Sequence, residues 1–333
     1  MDYKIKKISE VNEEELSQFY RFAFPSRYKI LSNHWKWYYK FGLTENEPII
    51  LEYNSKIIGM AGLIPENLSL KGRVYQATWF TDFYIIKEYR NKGFGKILTE
   101  EWMKICPIQI TYCNEQSLRI FKKFDWKYNN KFYRKITPTN IFNLIPIIKK
   151  LNFNLKRYKV DKSIKFSNIK PNKIDGKNII KYSKLEEKNN DVKNCFSILR
   201  DEDWFKWRFL DCPYSSDIYE FEYNDDIVVA HVYKTINQKR LNILYSHTRS
   251  QNSIIYDLLY DWCLDNNLDF IWTLNSDKMR IFKENFFDNL LLKKKINFAF
   301  WAKEESNLTH LEKGIANAQG SDSDLESILY QGE

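Results

Sequence analysis

A short basic loop with two glycines carries the clearest chemistry in this sequence. Its residues are, in order, Arg90, Asn91, Lys92, Gly93, Phe94, Gly95 and Lys96. Because the glycines lack a Cβ, the backbone can adopt a positive φ and come close to a ligand. Successive N–H groups in such a turn form a concavity that binds anions. With cationic side chains around it, the loop is predicted to hold a diphosphate.

The segments on either side of this loop are predicted to be a strand and a helix. Residues 83–86, Phe-Tyr-Ile-Ile, are typical of a buried strand, and apolar residues after the loop recur at helical spacing. The dinucleotide fingerprint would need a third glycine where the chain has Leu98, and the Walker loop would need Ser or Thr in place of Ile97. Neither motif fits. The alternative is a solvated basic turn without a ligand.

The order Arg-x-x-Gly-x-Gly between a strand and a helix resembles the acyl-CoA loop of the GNAT acyltransferase superfamily. The resemblance is strongest over Tyr3 to Ile136 and implies that acyl-coenzyme A is the co-substrate. It also implies that the strand before the loop diverges from its neighbour, so that its N–H groups bind the pantetheine arm and polarise the thioester carbonyl. The cofactor-binding residues that it implies are Tyr84, Ile85, Ile86, the seven loop residues from Arg90 to Lys96, Asn114 and Phe121.

The base that would deprotonate an acceptor amine has three candidates. Asp82 lies at the start of the strand before the loop, near where the amine should arrive, and ranks first. His34 heads an aromatic helical cluster, and Glu115 follows Asn114 at the end of another predicted strand. For His34, a surface position near a helix end is the simpler interpretation.

The identity of the acid that would protonate the leaving thiolate also has several candidates. GNAT enzymes often place a tyrosine where this chain has Phe121, which has no proton to give. Tyr112, Tyr84 and Tyr128 are the substitutes, and each is also interpretable as a core tyrosine. A thiolate leaving group is stable enough for the step to proceed without an acid.

Tryptophans around the predicted core are candidates for stacking on the acceptor. Trp35, Trp37 and Trp79 are predicted as substrate-binding residues, although an aromatic stripe usually packs in a core.

The pattern of elements predicts a mixed α/β fold with two GNAT-like lobes, each a mostly antiparallel sheet flanked by helices. Helix periodicity covers Ser9 to Phe24, and strands are predicted at 49–53, 56–63, 73–80 and 108–113. The sequence from Asn114 to Lys122 recurs from Asn275 to Lys283 with five identities, which indicates a duplication. In the second copy, residues 178–182 are predicted as the first strand and residues 192–199 as part of the following helix.

The predicted domains are a first GNAT domain at 1–137, a bridging helix and linker at 138–171, a second GNAT-like domain at 172–303, and a partly mobile tail at 304–333. The second copy has no glycine between Tyr245 and Ser253, so it is predicted to have lost its coenzyme A site.

Composition limits the remaining classes of function. The net charge of +9 suits a polyanionic ligand such as a nucleotide, but no lysine block is dense enough for nucleic acid. Five cysteines without a C-x-x-C pair and four histidines predict no disulfide framework and no metal site. The charged N-terminus and the absence of a long apolar run predict a cytoplasmic protein without a membrane span. A homodimer is left open.

Tandem GNAT architecture with a tryptophan-rich segment resembles bacterial N-acyltransferases of surface-polysaccharide synthesis. The resemblance implies an acceptor that is a nucleotide-linked amino sugar, with a dTDP-3-amino-3,6-dideoxyhexose as the first candidate, and an acetyl or short hydroxyacyl donor such as 3-hydroxybutanoyl. The alternatives are a polyamine or peptide N-acetyltransferase, a Fem-type aminoacyl-tRNA-dependent transferase and an acyl-CoA-binding sensor without activity.

The difference between the two copies predicts the stoichiometry of binding. Isothermal titration with coenzyme A should give one molecule per chain, because only the first copy has a glycine loop that allows close approach to a pyrophosphate. Two equivalent sites per chain would contradict the predicted loss of the second site.

Overall fold

The protein is described here from a computed structural model, which defines residues 3–139, 169–189, 195–234, 239–249, 254–276 and 293–319. Its strands are β1 (Tyr3–Lys7), β2 (Ile49–Tyr53), β3 (Lys56–Leu70), β4 (Arg73–Ile85), β5 (Ile108–Cys113), β6 (Lys127–Pro138), β7 (Asn172–Lys173), β8 (Ser197–Ile198), β9 (Ile218–Tyr223), β10 (Asp226–Lys234), β11 (Lys239–His247), β12 (Phe270–Ser276) and β13 (Lys293–Ala302). Its α-helices are α1 (Glu13–Ala23), α2 (Tyr28–Tyr38), α3 (Phe94–Met103), α4 (Glu115–Phe121), α5 (Gly176–Asn189), α6 (Glu202–Phe205), α7 (Ile254–Asp265) and α8 (Glu305–Leu311).

The chain divides into two compact units. Unit 1 contains Met1–Lys131, Gly176–Pro213 and Ile296–Glu333, and unit 2 contains Phe132–Asp175 and Tyr214–Lys295. These units differ from the predicted domains, because 176–213 and the residues after 296 belong with the N-terminal part of the chain.

The sheet of unit 1 has the order β1-β2-β3-β4-β5-β13, and the short strand β8 also pairs with β3. All neighbours are antiparallel except β4 and β5, which are parallel and are connected by α3. A parallel pair needs such a crossover, since its strands cannot be joined by a tight turn. The mixed α/β class predicted from the sequence is confirmed.

The sheet of unit 2 repeats this plan in the order β7-β9-β10-β11-β12-β6. Its only parallel pair among the described strands is β11 with β12, and α7 connects them. Helix α7 packs on one face of the sheet, where Ile255, Leu259 and Cys263 meet a core that includes Val228 and Ile271. The shared order of strands and crossover helix agrees with the predicted duplication.

The last strand of each sheet comes from the other half of the sequence. In unit 1, β13 pairs with β5, with Asn297 opposite Cys113 and Ala302 opposite Ile108. In unit 2, β6 pairs with β12. A simple tandem repeat would have placed β6 beside β5 and β13 beside β12. This exchange explains why the predicted boundaries at 137 and 303 do not match the compact units.

Helix α1 is stabilised by a capping residue at its N-terminus and by one apolar face that is buried. The Asn12 side chain accepts a hydrogen bond from the Glu14 N–H at 2.8 Å, and three glutamates occupy the first turn. The cap gives one unpaired N–H group an acceptor, and the negative charges interact favourably with the positive end of the helix dipole. The predicted face of Leu16, Phe19, Tyr20 and Ala23 is buried.

Strand β4 departs from its prediction. The sequence predicts two strands, at 73–80 and 83–86, but the structure has one strand from Arg73 to Ile85. Its register against β3 shifts between Met60 and Gly62, which face Tyr84 and Thr81, so β4 has one extra residue there. Asp82 lies in this β-bulge with a φ of 50°. The polar pair Thr81-Asp82 therefore lies in a β-bulge within one strand and does not separate two strands.

Other elements of the second copy also differ from the prediction. Residues 178–182, predicted as a strand, lie in α5, because the apolar residues Ile179 and Tyr182 recur at helical spacing and are buried. Ser197–Ile198 is a short strand on β3 and not part of a helix.

Most of the predicted bridging helix and linker (residues 140–168), the repeat after Ser276 and residues 320–333 of the predicted tail lie outside the described residues. None of the described helices has the length and apolar character needed to cross a membrane.

Candidate functional site

The basic loop has the conformation that the sequence predicts. Gly93 has a φ of 87° and is the N-cap of α3, and Asn91 before it has a φ of 61°. Lys96 and Ile97 donate their N–H groups back to the Gly93 carbonyl at 3.0 and 3.1 Å. The N–H groups of Phe94 and Gly95 have no acceptor among the described residues, as is usual at a helix start. They are available to an anion.

Space beside the loop is open where a ligand would approach. A Cβ added to Gly93 would have no heavy atom within 4 Å, and one added to Gly95 would meet only Ile85 Cγ1 at 4.0 Å. Lys92 and Lys96 are exposed. The side chain of Phe94, in contrast, is buried against Tyr53 and Tyr89 and anchors the loop.

Arg90 links the loop to the end of β4. Its Nε donates to the Ile85 carbonyl at 2.8 Å, and its guanidinium lies 5.1 Å from the ring centroid of Tyr84. The Tyr84 ring is surrounded by Phe19, Phe22 and Phe24. Arg90 therefore both fixes the loop and adds positive charge beside it.

The end of β4 diverges from β5. Their parallel pairing stops at Trp79 and Ile110, and one residue later the Thr111 side chain, not its backbone, donates to the Phe80 carbonyl at 2.9 Å. Ile86 donates its N–H to Ile58 of β3, so Ile85, one residue earlier, directs its own N–H and carbonyl away from β3. The Ile85 N–H thus points into the opening between the strands.

Asp82 is buried and both of its carboxylate oxygens are occupied. Oδ1 forms an ion pair with the Arg27 guanidinium, and Oδ2 accepts a hydrogen bond of 2.9 Å from the Tyr39 hydroxyl. Its side chain is only 1% exposed. A carboxylate in this arrangement has no free lone pair directed at a substrate amine. The position of Asp82 in the sequence does not indicate these partners, which flank α2.

His34 lies at a kink of α2, with φ −136° and ψ 20°, and is half-buried. Burial lowers the pKa of His34 below its usual value, because desolvation disfavours the charged imidazolium. The imidazole is therefore neutral at physiological pH and able to accept a proton. It lies one helical turn before Tyr38, whose hydroxyl is 3.5 Å from Thr81 Oγ1 at the bulge.

Glu115 and Asn114 lie at the end of β5, where α4 begins. The Asn114 side chain caps α4 by accepting from the Ser117 N–H at 2.9 Å. Glu115 is exposed, and its Oε1 accepts a hydrogen bond of 2.8 Å from Asn297 Nδ2 on β13. Asn297, which comes from a strand near the far end of the chain, therefore helps to orient the Glu115 carboxylate.

The aromatic candidates for acid catalysis lie in different surroundings. Tyr112 packs against Trp79 and Phe298, while Tyr128 is 42% exposed with Lys122 over its ring. Phe121 is buried and stacks on Trp126, so its ring belongs to the core of unit 1.

Cys113, the last residue of β5, is not a nucleophile. Burial raises the pKa of its thiol to about 12, and the charge of Glu115 acts in the same direction. The thiol is therefore protonated at neutral pH and unreactive.

The three predicted substrate-binding tryptophans are not equivalent. Trp35 and Trp79 are 6% and 1% exposed, so neither has a ring face open to a nucleobase. Both rings pack in the core of unit 1. Trp37 is half-buried, and its Nε1 donates to the Trp207 carbonyl at 2.8 Å while Trp207 Nε1 donates to the Trp37 carbonyl at 2.7 Å.

A buried cation beside these tryptophans was missed by sequence analysis. Lys40 donates from Nζ to the Pro65 carbonyl at 2.9 Å and lies 3.5 Å from Glu66 Oε1. Its Nζ is 4.3 Å from the ring centroid of Trp207, and Trp204 Nε1 donates to Glu66 Oε2 at 3.2 Å. Desolvation lowers the pKa of Lys40, and the Glu66 charge opposes this shift. Because these partners are far apart in the sequence, no pattern of residue spacing predicts the contact.

Only the beginning of the corresponding segment of unit 2 is described, because residues 250–253 lie outside the described part of the chain. The Arg249 N–H donates to Asp226 Oδ1 at 2.8 Å, and its exposed guanidinium pairs with Asp225 Oδ2 at 2.6 Å.

A family model matches part of the N-terminal half of the chain. Residues 9–126 match the model of the "Acetyltransferase (GNAT) family". This range contains the basic loop, the bulge and the opening between β4 and β5. No curated protein matched the sequence.

Solved structures share the fold over most of the chain. A GCN5-related N-acetyltransferase from Kribbella flavida matches with a TM-score of 0.58 at 11% identity, covering 90% of this chain and 72% of its own. Saccharomyces cerevisiae N-myristoyltransferase with bound myristoyl-CoA matches with a TM-score of 0.56 at 12% identity, covering 90% and 82%. A probable N-acyltransferase from Enterococcus faecalis matches with a TM-score of 0.55 at 12% identity, covering 94% and 75%.

Substitution of Gly95 tests the loop. Gly95→Asp should lower coenzyme A affinity by more than about tenfold, roughly 1.4 kcal/mol, because the new carboxylate would lie beside N–H groups that face the diphosphate. Calorimetry measures this change. Gly95 is preferable to Gly93, whose positive φ would add backbone strain to any substitution.

A matched control for this test is Gly176→Asp at the start of α5, where an added Cβ has no heavy atom within 4 Å. It should leave coenzyme A affinity unchanged. Unchanged affinity in a folded Gly95→Asp variant would show that the loop is not the pyrophosphate site.

Proposed function

We propose that this chain, an N-acyltransferase with a GNAT domain at residues 9–126, transfers an acyl group from acyl-coenzyme A to the amine of a nucleotide-linked amino sugar. The observation that carries the acyl-CoA part is the loop at the end of β4, with Gly93 in a left-handed conformation at the start of α3. The loop provides N–H groups and positive side chains for the pyrophosphate, and the adjacent opening accommodates an extended arm.

The reaction follows from these positions. The amine nitrogen attacks the thioester carbonyl, a C–N bond forms, the C–S bond breaks, and the amine proton moves to a base. Peptide N–H groups at the end of β4, including that of Ile85, are placed to bind the pantetheine arm and to stabilise the negative charge on the carbonyl oxygen. The thiolate leaves with coenzyme A.

We assign the base to His34, in place of the first-ranked candidate Asp82. The two oxygens of Asp82 are held by Arg27 and Tyr39, whereas His34 is uncharged at neutral pH because burial lowers its pKa. A neutral imidazole can take the amine proton directly or through one water.

The acceptor is proposed from charge and from the tandem architecture. The net charge of +9 favours an anionic acceptor such as a nucleoside diphosphate sugar. A dTDP-3-amino-3,6-dideoxyhexose is the first candidate, with acetyl or 3-hydroxybutanoyl as the acyl group. Such an enzyme would act in surface-polysaccharide synthesis in the cytoplasm.

The second candidate acceptor for the same acyl-CoA site is an amino-terminal peptide, which is among the alternatives that the sequence leaves open.

A panel of acceptors tests the assignment. Free-thiol release from acetyl-CoA should occur with a dTDP-amino sugar and not with spermine or an amino-terminal peptide, and dTDP alone should bind saturably by calorimetry. Turnover of the peptide without binding of dTDP would contradict the sugar assignment and favour the second candidate.

The pH dependence tests the base. Because burial lowers the pKa of His34 below the usual value of about 6.5, the imidazole becomes protonated only at a pH under that value, and the acid limb of the kcat/KM profile should lie there. His34→Asn should reduce kcat by about 10²-fold, the usual contribution of a general base, and remove this limb. Steady-state thiol release over a pH series provides the measurement.

His310→Asn is the control, since His310 is also half-buried but lies in α8, away from the proposed site. It should keep the profile of the wild type. If Glu115→Gln lost activity while His34→Asn kept it, the base would be Glu115.

A further inference from the structure

The bulge of β4 holds a non-glycine residue in a left-handed conformation. Asp82 has a φ of 50°, and the extra residue on β4 lies between Thr81, opposite Gly62, and Tyr84, opposite Met60. The extra residue of a bulge lacks a partner in the ladder. The bulge follows the last paired residues of β4 and β5, so its peptide groups border the opening between these strands.

A buried set of side chains holds this strained residue from one side. Arg27, 8% exposed, forms an ion pair with Asp82, and Tyr39 donates its hydroxyl to the other carboxylate oxygen at 2.9 Å. The Tyr38 hydroxyl lies 3.5 Å from Thr81 Oγ1 and accepts from Arg27 Nη1 at 3.5 Å. These partners come from the end of α2 and the turn before it.

Strand β3 packs against the bulge from the other side. A Cβ on Gly62 would lie 2.9 Å from the Thr81 carbonyl oxygen, 3.1 Å from Asp82 Cβ and 3.1 Å from Tyr39 Cε1. A larger residue at this position would displace the bulge, so Gly62 is required for its close packing. The conformation of Asp82 is thus set by contacts on both sides.

We propose that Arg27, Asp82 and Tyr39 form a positioning clamp, which orients the peptide N–H groups of the bulge toward the thioester carbonyl of bound acyl-CoA. This inference rests on the proposed acyl-CoA site beside the loop. Asp82 acts through the backbone and does not touch the acyl group, so it is a positioning residue.

The chemistry of the clamp favours this role over simple stabilisation. Two buried charges are costly to desolvate, and an apolar pair of the same size often stabilises a fold equally well. A charged pair with a third hydrogen-bond partner instead selects one orientation of Asp82 and therefore of its peptide group. Strained backbone held by surrounding contacts is common where a catalytic group must be preorganised.

Isotope-edited infrared spectroscopy of acetyl-CoA, labelled at the thioester carbonyl, tests the clamp without an acceptor. In the wild type, the C=O stretch of the bound thioester should lie below that of free acetyl-CoA, because hydrogen bonding polarises the carbonyl. Asp82→Asn and Tyr39→Phe should lose most of this shift while calorimetry shows unchanged acetyl-CoA affinity.

Two further variants separate positioning from folding. The double variant Arg27→Gln/Asp82→Asn leaves no isolated buried charge and should also lose the shift. Tyr75→Phe removes a hydroxyl from the same strand, away from the bulge, and should keep it.

The outcomes distinguish this inference from the proposed function. A bound thioester with an unshifted carbonyl in the wild type, or clamp variants that retain the full shift, would overturn the clamp alone. A wild-type protein that does not bind acetyl-CoA would overturn both the clamp and the acyl-CoA site.

Discussion

The divergence of β4 from β5 is the constraint on which the candidate site depends. Peptide groups that leave a ladder must find other partners, because unpaired polar groups cost free energy when buried. Here Arg90 donates a hydrogen bond to the Ile85 carbonyl, and the clamp holds Asp82 in the bulge. The groups that remain unpaired are N–H donors at the opening and at the start of α3. The divergence of β4 therefore leaves N–H donors for the pantetheine arm at the opening and for the pyrophosphate at the start of α3.

Buried ion pairs connect segments of unit 1 that are distant in sequence. Arg27 pairs with Asp82, and Lys40 pairs with Glu66. Arg200 donates to Glu186 at 2.9 Å and to the Asn317 carbonyl at 2.6 Å, so it ties α5 to the segment after α8. Such pairs contribute little net stability but penalise any arrangement that leaves one charge alone. They favour a single placement of the segments that surround the site.

The two units share a plan but not a chemistry. Each has a four-stranded antiparallel run followed by one parallel crossover, and each receives its last strand from the other half of the sequence. In unit 1 the crossover begins with an open glycine loop. In unit 2 the corresponding segment between Tyr245 and Ser253 has no glycine.

Local sequence by itself determined the loop, the first helices and most strands of unit 1. Residues 90–96 specify a left-handed turn before a helix because only glycine adopts that conformation without strain, and α1 follows from its cap and apolar face. The matched Asn114 and Asn275 segments predict the duplication. Sequence could not decide that β13 completes the first sheet, since many strands have the alternating apolar pattern and the choice of partner depends on three-dimensional packing. It also could not show that Asp82 is held by Arg27 and Tyr39, or that Trp35 and Trp79 are core residues. The role of a carboxylate or an indole depends on which groups surround it, and only the tertiary structure brings those groups together.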